Sequence, residues 1–77
     1  MDNFRIWGRI EQLAADEFEV IVTAVPESTD PAGVQRLTSA RATKADAKVA
    51  LHAMIVRMKE AIAAADGRVT DTEINGL

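Results

Sequence analysis

The spacing of hydrophobic residues changes once along the 77-residue chain, near Thr43, and this change constrains the fold more than any other feature. Before Thr43, apolar and polar residues alternate, which is typical of half-buried β-strands. After it, apolar residues recur every three or four positions, as on one side of an α-helix. The sequence therefore predicts an α+β fold in which the strands come first and one long helix follows.

Three strands are predicted before the change, over residues 4–13, 17–25 and 34–42. The first alternates, with Phe4, Ile6 and Ile10 at even positions and the charged residues Arg5, Arg9 and Glu11 at odd ones. The second is rich in β-branched residues and nearly continuous in apolar character, which is typical of a central strand covered at least partly on both faces. Pro26 and Pro31 lie in the segment that follows it, so residues 26–33 are predicted to form the main loop.

The helix is predicted over residues 44–66, because no Gly or Pro interrupts that segment. Thr43 is its predicted N-cap, Asp46 completes a capping-box pattern, and Gly67 is its predicted C-terminal stop. Nine residues fall on one side of this helix and are predicted to face the sheet: Ala47, Ala50, Leu51, Met54, Ile55, Met58, Ala61, Ile62 and Ala65.

The predicted order is β-β-β-α, a three-stranded antiparallel β-meander with one long α-helix packed on one sheet face, in a single small domain spanning residues 1–77. Thr70 and Glu73 form a second capping-box pattern, which predicts a short C-terminal turn that contains Ile74. Two alternatives stay open for this end: the chain closes with that turn, or it is one domain cut from a longer protein.

Composition argues against several functional classes. The chain has no cysteine and a single histidine, His52, so thiolate zinc sites, cysteine nucleophiles and histidine clusters are excluded. Residues 66–73 resemble the second half of an EF-hand calcium loop, but Ile62 and Ala64 then fall at positions that need carboxylates. No Gly-rich phosphate loop follows a strand. We therefore expect that the protein is not an enzyme and that it has no catalytic residues, no cofactor and no metal.

Apolar runs such as Val20-Ile21-Val22 fall far short of the roughly 20 residues that a membrane span needs. The first residues do not have the basic segment and apolar run of a secretory signal. The sequence thus predicts a cytoplasmic protein that does not interact with membranes.

Two sets of apolar residues are left over after the core is assigned. One lies at odd positions on the second face of the predicted sheet and comprises Trp7, Leu13, Ile21, Val25 and Leu37. The other is a narrow stripe on the helix formed by Val49, Ala53 and Val56. Because contiguous exposed apolar area usually marks an interface, both sets are predicted protein contacts, with Trp7 as the anchor of a homodimer.

Charge is distributed unevenly along the chain. Residues 1–33 carry a net charge of −5, whereas residues 34–60 carry +4 within an overall charge of −3. Four residues of the basic segment are candidate contacts to nucleic-acid phosphates: Arg36, Arg41, Lys44 and Lys48. The alternative reading of these residues is a solvated helix face, or groups that balance the acidic half of the same molecule or of a partner.

The segment Thr43-Lys44-Ala45-Asp46-Ala47-Lys48 is similar to the opening of the last helix in double-stranded-RNA-binding domains, which also follows three antiparallel strands. Lys44 and Lys48 match lysines of that family, whereas Ala45 replaces one of its paired lysines and the family's first helix is missing. The β-β-β-α order also resembles small bacterial antitoxin domains of the HicB type.

The function expected from the sequence is a small non-catalytic protein-interaction module that forms a homodimer or binds another protein. Small bacterial or phage regulators fit this description. The alternative is a nucleic-acid-binding regulator or antitoxin-like domain that uses the basic strand-helix segment.

Overall fold

The computed structural model describes residues 3–27 and 33–75. Its elements are the strands β1 (Asn3–Ala14), β2 (Glu17–Pro26) and β3 (Gln35–Arg41), the helix α1 (Lys44–Ala64), and the strand β4 (Arg68–Asn75). The strands form one sheet in the order β3-β2-β1-β4. The α+β class, the first three strands and the helix agree with the sequence prediction to within a residue or two at each end.

The predicted three-stranded meander is wrong, because a fourth strand makes the sheet mixed. β4 pairs in parallel with β1, so β1 lies between two strands. The segment was predicted to be a capped helical turn, but four of its eight residues, Val69, Thr70, Thr72 and Ile74, are β-branched, which favours an extended chain. Hydrogen bonds to the otherwise free side of β1 outweigh the local capping pattern.

A register shift in the β1–β4 pair leaves Thr70 as an extra residue on β4. The Thr70 hydroxyl lies 2.9 Å from Glu27 Oε1 and 3.3 Å from the carbonyl oxygen of Phe4. These contacts tie the start of β4 to the far end of the β1–β2 hairpin. They also show why the Thr70 side chain does not cap a helix.

The N-terminus of α1 forms as the sequence predicts. The Thr43 hydroxyl accepts a hydrogen bond from the backbone N–H of Asp46 at 3.1 Å. Seven of the nine residues predicted to face the sheet are buried, whereas Ala61 and Ala65 are exposed. The two exceptions lie near the end of the helix, in its last turn and at its C-cap, on either side of the buried Ile62.

The C-terminus of α1 differs from the prediction in one residue. Asp66, not Gly67, adopts the left-handed conformation, with φ of 61°. The backbone N–H groups of Asp66 and Gly67 donate to the carbonyls of Ala63 and Ile62, which is the Schellman arrangement. Gly67 is needed for space, since a Cβ there would lie 2.7 Å from Ile62 Cγ2 and 3.0 Å from the Ile62 carbonyl oxygen.

The core lies between α1 and one face of the sheet. The even-numbered residues of β1 and β2 point into it, and Ile6, Val20, Val22 and Ala24 have no exposed surface. Within the described part of the chain, no helix combines the length and the apolar character that crossing a membrane requires.

Candidate functional site

The face of the sheet opposite α1 is the main candidate site, and we call it the open face. In the described residues no helix or second sheet lies over it, and the odd-numbered residues of β1 and β2 point toward it. The strand register places Arg36, Thr23, Trp7 and Glu73 in one row across the four strands. The next row contains Thr38, Ile21, Arg9 and Asn75.

A groove of about 440 Å³ lies on the open face around Trp7, and we call it the Trp7 groove. Its apolar lining comes from Trp7, Ile21, Val25 and Val34. Trp7 is 40% exposed, and Ile21 and Val25 are half-buried although no element packs over them. The groove therefore offers apolar surface that the described part of the chain does not cover.

Basic side chains surround the Trp7 groove. Arg9 and Arg36 line it, and Arg5 lies two residues before Trp7 on the same face. Arg5 pairs with Asp71 at 3.6 Å and Arg9 pairs with Glu11 at 3.7 Å. All four of these side chains are more than half exposed, so each pair contributes at most about 1 kcal/mol to the free energy of unfolding.

Two acidic residues of the open face, Glu11 and Glu19, lie toward the turn that joins β1 and β2, whereas Asp71 and Glu73 lie on β4 beside Arg5 and Trp7. Glu11 and Glu19 face each other in the register of the hairpin, two residues beyond Arg9 and Ile21. Around Trp7 the open face thus carries three arginines, Arg5, Arg9 and Arg36, together with two carboxylates, and near the hairpin turn it carries Glu11 and Glu19. All of these charged side chains are on one side of the sheet.

The open-face placement predicted for Leu37 is wrong. Leu37 is paired with Val22, so it points to the same face as Val22, and it packs against the core beneath α1. Trp7, Ile21 and Val25 do lie on the open face. Leu13 is exposed, but it lies at a bulge in β1 where the regular alternation of faces stops.

The helical stripe of Val49, Ala53 and Val56 is exposed, as the sequence predicts. Val49 is 70% exposed and Val56 is 53% exposed. Ala53 also lines a second groove between α1 and β3. The stripe lies on the helical side of the molecule, so the two predicted contact surfaces are separated by the sheet and the core.

The structure does not bring the four predicted nucleic-acid contacts together. Arg36 is paired with Thr23 and points to the open face. Arg41 is paired with Phe18 and lies on the helical side, where it lines the groove beside α1. Lys44 and Lys48 are exposed in the first turns of α1. The sheet therefore separates Arg36 from the other three residues.

The described residues contain no group of three or more His, Asp or Glu side chains arranged to hold a metal ion. None of their polar or charged side chains is buried, and His52 is exposed on α1. The open face combines apolar side chains with exposed arginines and carboxylates.

Five lining residues of the Trp7 groove are absent from the predicted contact residues: Gly8, Arg9, Thr23, Val34 and Asn75. Val34 and Asn75 lie just before β3 and at the end of β4, where sequence patterns do not predict how strands are paired. The β-branched residues Val69, Thr70, Thr72 and Ile74 are the sequence signal that points to β4, and hence to Asn75.

The chain matches no protein-family model, and no curated protein or solved structure matches it. The order of elements also differs from the double-stranded-RNA-binding arrangement in which the helix comes last, because β4 follows α1 here. Function is therefore inferred from the geometry of the open face.

Proposed function

We propose that the protein is a small non-catalytic interaction module that forms a homodimer through its open face. The observation that supports this most directly is the composition of β2. Its even residues are buried under α1, and its odd residues include Ile21 and Val25, which no element of the described chain covers. Near-continuous apolar strands are typical of sheets with both faces covered, so a second molecule supplies the missing layer.

The charge pattern of the open face favours a second copy in antiparallel orientation. In this arrangement the two-fold axis lies in the plane between the two sheets, perpendicular to β1, and passes over the point between Arg9 and Glu11. It places Arg9 of each copy opposite Glu11 of the other. The same rotation moves Glu11 and Glu19 of each copy toward Arg9 of the other. An isologous interface needs such self-complementarity, and it gives the exposed charges of this face opposite partners.

The test is the oligomeric state of a Trp7→Ala variant, measured by light scattering after size exclusion over a range of micromolar concentrations. We expect the unmodified chain to be a dimer and the variant to dissociate at least about tenfold more readily, because Trp residues dominate interface energies. Ile74→Ala is the matched control, since Ile74 is 46% exposed but lies opposite Gly8, on the helical side of the sheet. A monomeric unmodified chain contradicts the proposal.

A Val49→Asp variant distinguishes the open face from the helical stripe. The open-face dimer leaves Val49 in solvent, so this variant keeps the dimer. Loss of the dimer in Val49→Asp with retention in Trp7→Ala assigns the interface to the stripe instead. Titration of the same samples with duplex DNA and RNA at low salt tests the nucleic-acid alternative, which the separation of Arg36 from Arg41, Lys44 and Lys48 makes the weaker of the two.

A further inference from the structure

β3 is an edge strand whose outer side is unpaired in the described part of the chain, since β2 is its only partner. Its charged residues, Arg36 and Arg41, lie near its two ends, and the four residues between them, 37–40, carry no charge. The opposite edge strand, β4, carries Asp71 and Glu73, and charged residues are a common protection of edges against further pairing. β3 is therefore the edge of this sheet that is open to another strand.

A groove of about 210 Å³ lies beside this edge, between β3 and α1, and we call it the edge groove. Leu37, Ala53 and Met54 contribute apolar surface to it, and Arg41 and Arg57 contribute positive charge. A strand added to β3 points every second side chain toward the helical side of the sheet. Those side chains enter the edge groove.

The charges of the edge groove select an acidic occupant. Its lining residues include two arginines and no carboxylate. The Arg41 guanidinium donates to the Ser39 hydroxyl and, at 2.8 Å, to the carbonyl oxygen of Ala40, so it folds back along its own strand. Neither Arg41 nor Arg57 forms an ion pair with another described residue. Carboxylates of a docked segment are the complementary groups.

We infer that β3 and the edge groove bind an extended acidic segment of another protein, which adds to the sheet as a fifth strand. Backbone hydrogen bonds to β3 give such a complex its affinity, and side chains in the edge groove give it selectivity. A second copy of β3 is a poor occupant, because antiparallel pairing about a two-fold axis perpendicular to the sheet puts both α1 helices on the same side and brings the Arg57 side chains of both copies toward each other. The edge groove lies on the opposite side of the sheet from the Trp7 groove, so binding of this segment does not depend on the homodimer.

The probe is a fluorescein-labelled ten-residue peptide in which valine and glutamate alternate, and its binding is followed by fluorescence anisotropy. A peptide that alternates valine and lysine is the control. We expect saturable binding of the acidic peptide only. Absence of binding by the acidic peptide, or equal binding of the lysine peptide, overturns the inference.

Two double variants with the same change in net charge test the location. Arg41→Glu with Arg57→Glu is expected to weaken binding of the acidic peptide at least about tenfold, because it reverses the charge of the edge groove. Lys48→Glu with Lys59→Glu changes exposed helical residues that do not line the edge groove, and it is expected to leave the dissociation constant within about twofold. Equal loss in the two variants overturns the location.

Backbone methylation of the peptide tests strand addition itself. An extended peptide presents its N–H groups alternately to its two sides, so methyl groups on every second nitrogen block one side only. We expect one of the two methylation frames to abolish binding and the other to retain it. Equal binding in both frames shows charge attraction without strand pairing and overturns the inference.

Discussion

Gly8 is the residue at which a side chain on β1 would collide with the helix. A Cβ at Gly8 would lie 2.7 Å from Leu51 Cδ1 and 3.3 Å from Ile55 Cδ1. Leu51 is only 2% exposed, so its side chain would have to rearrange within the core to make room. The absence of a side chain at Gly8 thus allows α1 to pack closely over the centre of the sheet.

We expect Gly8→Val to lower the free energy of unfolding by about 1–3 kcal/mol, since it adds volume to a filled core. Urea denaturation followed by circular dichroism measures the change. The control is the same substitution in a Leu51→Ala background, where the space vacated by Leu51 accommodates the valine. Strictly additive losses in the double variant contradict this account of the collision.

At the scale of the elements, the end of α1 contains the one described non-glycine residue with a positive φ, Asp66. Glycine is the common residue at this position of a Schellman motif, because a Cβ makes the left-handed conformation costly. The hydrogen bonds to Ala63 and Ile62 are formed in spite of that cost. They position Gly67 and the start of β4.

Replacement of Asp66 by glycine is therefore expected to raise the free energy of unfolding by about 0.5–1 kcal/mol. Asp66→Ala is the control, because it removes the same carboxylate but keeps a Cβ. Urea titrations of both variants provide the comparison. If alanine stabilises the protein as much as glycine does, the carboxylate rather than the backbone conformation is responsible.

For the whole molecule, the sheet divides the surface into two sides with different partners in our proposals. The open face, with Trp7 at its centre, is matched to a second copy, and the β3 edge with Arg41 and Arg57 is matched to an acidic segment. Since the two surfaces do not overlap, a homodimer presents two edge grooves. Such an arrangement allows one dimer to bind two partner segments.

The antiparallel dimer makes a prediction about mixtures of charge variants. Arg9→Glu places carboxylates at positions 9 and 11, and Glu11→Arg places guanidinium groups at both. Each variant alone is expected to dimerise at least about tenfold more weakly than the unmodified chain, and an equimolar mixture is expected to form heterodimers. Native mass spectrometry distinguishes the species. A mixture that stays monomeric contradicts the proposed orientation, as does normal homodimerisation of each variant.

Much of the open face is predictable from the sequence, because alternation along a continuous strand depends only on local geometry. Trp7 and Ile21 are assigned to it correctly by counting from buried neighbours within β1 and β2. The same count fails for Leu37, because a loop separates β3 from β2 and the odd-even count does not carry across a loop. Only the pairing of Leu37 with Val22 decides its face.

The sequence by itself determined the elements whose stability is local: the alternating strand β1, the start of α1 at Thr43, and the side of α1 that meets the sheet. The tertiary structure alone decided that β4 joins β1. Residues distant in the chain contribute the deciding free energy there, through strand pairing and packing. The sequence around Thr70 contains a capping pattern, but it carries no information about the unpaired side of β1. Pairing with β1 stabilises this segment more than a capped turn does.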